Sequence, residues 1–306
     1  MGTTKEISEI QNLFYLYFEH KETQIREKIK QKILEKIPFG YHPFYFIETI
    51  EHPEIRFFLR KEFEELNLNK ILFDFQFFYR ESSNLMMGSY LVSCFSDSIF
   101  LTYEEYQRKF FVLVKEFLKL YPDFDSYSNY EKFQKITNFL FFIKDFKGNT
   151  RDYYNPENSF LSVVLDSKKG NPITLSVLVL LFYEVLKKIL ESKSNKKIDF
   201  KIVGINLPGH FIASYRSKEY TTLFDPFNYG NPLTYEDCCK FLLANGFLID
   251  INYFYPAETK IIIRRMLKNL LNFYSNSKNL KKEKTLETLI RNLDNLIQVE
   301  EKKIEH

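Results

Sequence analysis

Gly170-Asn171-Pro172-Ile173-Thr174-Leu175-Ser176-Val177-Leu178-Val179-Leu180-Leu181-Phe182-Tyr183 is the stretch on which the rest of the chain is organised. Asn171 can cap the free N–H groups of a helix start. Pro172 suits the first helical position, where its missing N–H would be unpaired anyway. Across 177–183 apolar residues occupy every side of the predicted helix instead of one stripe, which places it inside the molecule. That unbroken apolar run of seven residues is far short of the ~20 needed to cross a bilayer, and Glu184, Lys187 and Lys188 follow directly.

After a polar break at 191–197, three segments rich in β-formers follow at 200–206, 211–215 and 220–224. Arg216-Ser217-Lys218-Glu219 reads as a hairpin turn. With Ser217 and Lys218 at its centre, Arg216 pairs with Glu219, and counting outward sets His210 opposite Asp225. Cross-strand neighbours on one face have Cβ atoms about 5 Å apart, close enough for a carboxylate to orient an imidazole and raise its basicity. The plainer alternative is a hydrogen-bonded core histidine, with Asp225 only a turn former ahead of Pro226.

The chain has 306 residues, enough for one large domain with extensions or two domains sharing a face. Its 45% hydrophobic content marks it as globular. The 33 Phe and 21 Tyr against no Trp, beside abundant Lys and Asn, read as genome base composition and not as a functional signature. Net charge is +3 with both signs interspersed, so no global field points to nucleic acid or anionic lipid. The three cysteines, Cys94, Cys238 and Cys239, form neither a disulfide framework nor a metal-spaced set. Cys238 and Cys239 read as small buried residues, and the expected setting is cytoplasmic, with no metal and no cofactor. The first twenty residues are charged and amphipathic without a secretory core, and Glu6 replaces the Ser or Thr that Gly2 would need for myristoylation.

The amino-terminal half is helical by periodicity. Ile7, Ile10, Leu13, Phe14 and Tyr17 share one face, as do Ile25, Ile29, Ile33 and Ile37. Further helical runs cover 52–66, 70–80, 85–95, 103–121 and 130–143. Gly148 then sits in a loop where positive φ is expected. Asn155-Pro156 opens a helix that ends just before Gly170. Beyond Asp225 a loop leads to a helix over 234–245 stopped by Gly246, and a last helical pair covers 259–274 and 280–299. No Gly-rich phosphate loop, HExxH or GxSxG is present.

Six pieces together carry a family resemblance: Phe146-Lys147-Gly148-Asn149, Asp152-Tyr153-Tyr154-Asn155-Pro156, Asn158-Ser159-Phe160-Leu161, Gly170-Asn171-Pro172-Ile173-Thr174-Leu175-Ser176, Gly204-Ile205-Asn206-Leu207-Pro208-Gly209-His210-Phe211 and Asp225-Pro226-Phe227. The chain resembles the SirB-type transglutaminase-like proteins of bacteria, a branch of the cysteine protease and transglutaminase superfamily, over about 85–275. Arg265-Met266-Leu267-Lys268-Asn269-Leu270 resembles the start of that family's tetratricopeptide-like tail, here cut to one helix pair. Residues 1–80 have no counterpart in it.

The resemblance implies an α+β, mostly helical fold whose papain-like core packs a central helix on a small antiparallel sheet, flanked by amino- and carboxy-terminal helices. The expected division is a helical region at 1–125, a transglutaminase-like core at 126–256 and a helical pair at 257–306. It also implies a nucleophilic Cys at the helix start, facing a His and an Asp, here His210 and Asp225. The corresponding position is Pro172, which has no nucleophile, and Thr174 and Ser176 lie one turn further in.

The favoured expectation is therefore a non-catalytic scaffold that binds another protein. Its cleft would be lined by the helix start, Asn158, Asn206, His210 and Asp225, with no nucleic acid or membrane involved. The alternative is a hydrolase or acyltransferase in which His210 activates water or the hydroxyl of Ser159, Thr174 or Ser176. A hydroxyl or thiol within bonding range of the imidazole separates the two.

Overall fold

The computed structural model describes residues 4–80, 84–98, 100–193 and 198–304, so Gly2 and the 194–197 part of the polar break lie outside the described residues. Helices α1 (Thr4–Glu19) and α2 (Thr23–Lys36) turn Ile10, Phe14, Tyr17, Ile29 and Ile33 onto a shared apolar cluster. The short α3 (Pro43–Glu48) and the first half of α4 (Pro53–Arg80) complete that cluster with Ile47, Leu59 and Phe63. The runs expected at 52–66 and 70–80 are thus one 28-residue helix. The intervening Leu66-Asn67-Leu68-Asn69 contains no Gly or Pro, and the modest helix cost of two asparagines is outweighed by the burial of Leu66 and Leu68 on either side. Halfway along, buried Lys70 donates to Asp74 at 2.6 and 2.8 Å; burial still raises that carboxyl to about 6, against the pull of the ammonium.

A second, larger apolar cluster extends from Leu68 to Leu293. Helix α5 (Leu85–Ser93), α6 (Tyr103–Leu120) and α7 (Asn129–Asn138) enter it. Reciprocal caps start α6 (Thr102 with Glu105) and α7 (Ser128 with Glu131). The helix expected over 130–143 ends in a widened turn at Phe139–Ile143. A two-residue parallel bridge then joins β1 (Lys147–Gly148) to β2 (Lys169–Gly170). Between them a 3-10 turn at Pro156–Ser159 precedes α8 (Leu161–Ser167), so the single helix expected from Asn155 is split. Its left-handed terminator is Lys168 at φ 63°, not Gly170.

Helix α9 (Pro172–Lys193) is the centre of the molecule, with every residue from Gly170 to Tyr183 buried. On one side it meets α5, α6, α8 and α11 (Thr259–Asn276), and on another the antiparallel sheet β3-β4-β5-β6. Strands β3 (Phe200–Ile205), β4 (Ile212–Ser217) and β5 (Thr221–Asp225) match the three expected segments; β6 (Asn231–Leu233) falls in the expected loop. Alternation divides the sheet cleanly. Phe200, Ile202, Tyr215 and Phe224 join the α9 core, while Ile205, Ile212 and Leu223 meet Leu242 of α10 (Tyr235–Ala244) behind it. Gly246, at φ 77°, ends α10 as expected. Helix α12 (Leu280–Ile304) packs along α11 and α4. The fold is α+β, mostly helical, with a central helix on a small antiparallel sheet. No helix among the described residues is long and apolar enough to cross a membrane.

The hairpin register differs from the expected one. Arg216 pairs with Thr221, not Glu219, and Ala213 with Phe224, so the ladder continued by one step would set Asp225 opposite Ile212. A shift of two residues keeps every side chain on its own face, whereas a shift of one would have reversed the sheet. Gly148 is not at positive φ either. A Cβ there would lie 2.6 Å from the Phe227 ring, so this glycine serves close approach. Gly148→Ala should destabilise the protein by about 1–3 kcal/mol, read by thermal or urea melts, and Phe227→Leu in the same chain should recover part of that loss.

Candidate functional site

The quoted motif residues converge on the start of α9. Asn171 accepts from the Thr174 N–H at 2.9 Å and the Thr174 hydroxyl at 2.8 Å, which caps the helix, and its amide donates to Ser159 Oγ at 2.9 Å. Asn158 accepts from the Asn149 amide at 2.9 Å and donates to the carbonyls of Asp152 and Tyr153 at 2.7 and 3.1 Å. Main-chain bonds from Asn171 to Asn158 and from Asn149 to Gly170 close the knot. Pro172 is the first helical residue, as expected, and is buried.

His210 and Asp225 do meet, with Nε2 and Oδ2 3.0 Å apart. The strand ladder does not produce this contact. His210 lies two residues before β4, in a turn where its N–H donates to the Leu207 carbonyl and Gly209 takes φ 76°. Asp225 is the last residue of β5 and is buried, 4% exposed; its Oδ1 accepts from the Phe227 N–H at 2.9 Å and its Oδ2 from the Asn228 amide at 2.6 Å. Burial on its own would raise this carboxyl. The His210 imidazole, Asn228 and the Phe227 N–H outweigh it, and the net shift is downward. An ionised Asp225 can only accept, so Nε2 is the donor in this contact, and Nδ1 has no hydrogen-bond partner among the described residues. The rings of Phe241 and Phe227 flank it at 5.6 and 6.4 Å.

No Ser, Thr or Cys side chain among the described residues hydrogen-bonds His210. The Thr174 hydroxyl is spent on Asn171, and Ser176 Oγ donates to the Pro172 carbonyl at 2.9 Å and the Phe211 carbonyl at 3.4 Å. Ser159 accepts from Asn171. The thiol of Cys94 donates to the Tyr90 carbonyl, and burial pushes it well up. Cys238 is buried beneath the sheet and pushed up to about 11, by burial first and then by neighbouring Cys239, Asp237 and Asp225. Among the described residues no group of three His, Cys, Asp or Glu could hold a metal ion.

Three contributors escaped the sequence reading. Arg265 of α11 donates from Nη1 to Asn206 Oδ1 and to the Leu207 carbonyl, each at 2.5 Å, and its guanidinium lies 5.8 Å from the Phe211 ring. It thereby holds both flanks of the His210 turn, and it is why Asn206 is a structural acceptor. Arg265 stands in a quoted motif, but nothing in its spacing names Asn206 as its partner. Asn228, three residues after Asp225, was legible as an orienting amide. The third is a groove of about 600 Å3 beside the start of α9, bounded by Tyr153, Tyr154, Ser159 and Asn171 on one wall and by Asn269, Asn272 and Phe273 of α11 on the other. His210 and Asp225 do not line it.

The sequence pattern of the transglutaminase-like superfamily matches residues 104–268, and the chain belongs to that superfamily. Two UPF0162 proteins of Xylella fastidiosa are each 28% identical to it over 152 residues, 48% of this chain and 50% of theirs. F-box only protein 21 of mouse and of human is 30% identical over 134 residues, 41% of this chain and 19% of theirs. The chain thus spans about half the length of the UPF0162 relatives and less of the F-box protein. No solved structure matches it.

Because the folded Asp225 carboxyl lies below its ordinary value, its contribution to stability is complete above about pH 4 and is lost as pH falls through the folded value. Urea midpoints measured between about pH 5 and 2 should fall less steeply in Asp225→Asn than in the parent chain.

Proposed function

We propose that this member of the transglutaminase-like superfamily is a non-catalytic binding protein, with Pro172 standing where the superfamily's cysteine nucleophile would be. The observation that carries this reading is the absence, among the described residues, of any hydroxyl or thiol bonded to the His210 ring. A helix start lowers the pKa of a thiol placed there, and a neighbouring imidazole completes the nucleophile. Proline at the first position supplies no such group. What remains is an oriented imidazole, a carboxylate committed to three donors and a set of helix-start groups already capped from within.

The reading includes a protein partner and a cytoplasmic setting, and descent from the SirB-type branch with α11 and α12 as a tetratricopeptide-like helix pair. The motif residues quoted above support the branch. The packing of α11 on α12 across Ser277–Asn279 supports the tail. The division at 1–125, 126–256 and 257–306 belongs to the same reading, although the larger apolar cluster runs across both of its boundaries.

Incubation with glutamine-containing peptides, with and without a primary amine acceptor, tests the reading. Neither ammonia release nor amine incorporation should exceed the buffer rate, and His210→Ala should change nothing. Since a positioned general base contributes about 10²–10⁴-fold, turnover that drops a hundredfold or more in His210→Ala would establish an enzyme instead.

A further inference from the structure

We propose that the groove between the 153–156 loop and α11 binds an extended, uncharged stretch of polypeptide, whose backbone is read by the side-chain amides of Asn269 and Asn272. This deepens the binding-protein reading and rests on it.

The groove's chemistry is unusual for this chain. More than a quarter of the residues are charged, yet no lining residue is Asp, Glu, Lys or Arg. A ligand carrying charge would leave water for a neutral wall and find no counter-ion, so the lining selects against it.

The lining asparagines are not equivalent. Asn155 and Asn171 are occupied by the loop and by the helix cap. Asn269 and Asn272, in contrast, have carboxamides that no other described residue engages, and Asn272 is exposed. Asn276 donates to the Asn272 carbonyl at 2.7 Å, so its own oxygen is left to accept.

Their spacing matches a polypeptide. Asn269, Asn272 and Asn276 lie three and seven residues apart and so share one face of α11. Seven residues of helix rise about 10.5 Å, the length of roughly three residues of extended chain. Each carboxamide offers a donor and an acceptor side by side, which complement the C=O and N–H that one residue of an extended chain presents on the same edge. The opposite wall supplies Pro156 and the Tyr154 ring, 86% exposed, as an apolar surface for one side chain of the ligand. Tyr153 next to it packs edge-on to Phe227 at 5.8 Å, and Phe227 is the ring beside His210. The groove therefore adjoins the pair without including it.

The test selects a phage-displayed random dodecapeptide library on the full chain and measures the recovered peptides by fluorescence polarisation. Recovered sequences should be depleted in charged residues relative to the unselected library. Asn269→Ala/Asn272→Ala should weaken them at least tenfold, and Asn272→Asp, which puts a charge in the neutral wall, should do the same. Lys268→Ala, outside the groove, should leave affinity unchanged, and circular dichroism melts establish that each variant is folded. Peptides that bind the double variant as well as the parent would overturn the groove assignment while leaving a binding protein standing. A carbohydrate array bound in an Asn269- and Asn272-dependent way would overturn the polypeptide assignment, as would recovery of no peptide at all. Failure of the underlying reading registers separately, as His210-dependent turnover.

Discussion

A helix that starts inside a protein must find partners for N–H groups that water cannot reach, and this requirement shapes the centre of the molecule. Asn171 meets it by capping Thr174 while tying its own amide to Ser159. Asn158 and Asn149 then fix the preceding loop against the same point. An unpaired buried group would cost about 1–3 kcal/mol, so these few asparagines decide where α9 begins. By their hydrogen bonds, the asparagines of the quoted motifs form the seat of that helix.

Once α9 is seated, the sheet and α11 close around it. Ser176 ties the second turn of the helix to the Phe211 carbonyl, next to His210. Arg265 holds the same turn from the other side through Asn206 and Leu207. Asp225 completes the arrangement because burial, which alone would favour its protonated form, is outweighed by His210, Asn228 and the Phe227 N–H. A polar pair with this degree of support needs no reaction to account for its geometry. The imidazole is oriented, and among the described residues no side chain hydrogen-bonds its other nitrogen.

Much of this was legible from local chemistry. The cap at Asn171-Pro172, the all-round apolar helix, the three strands and the left-handed Gly246 are each specified by residues close together in sequence. The meeting of His210 and Asp225 was anticipated through a register that is off by two; it comes instead from the turn at Leu207–His210, which carries the imidazole to the end of β5. What was not legible depends on distant segments. Gly148 looked like a turn residue, and only the approach of Phe227, almost eighty positions on, explains it. The continuity of α4 across two asparagines is set by burial on both sides, which no local propensity records. The neutral groove exists only because α11 returns beside the 153–156 loop.

We propose that Pro172 stands where the superfamily's cysteine would be. The most direct measurement is the thiol pKa of a Pro172→Cys variant, followed by ultraviolet thiolate absorbance as a difference from the parent chain and repeated in a His210→Ala background. A helix start lowers a thiol well below the ordinary ~8.5, and an imidazole facing that thiol makes the value rise when His210 is removed, which is the result the proposed reading expects. A value at or above ~8.5 that ignores His210 would contradict the account.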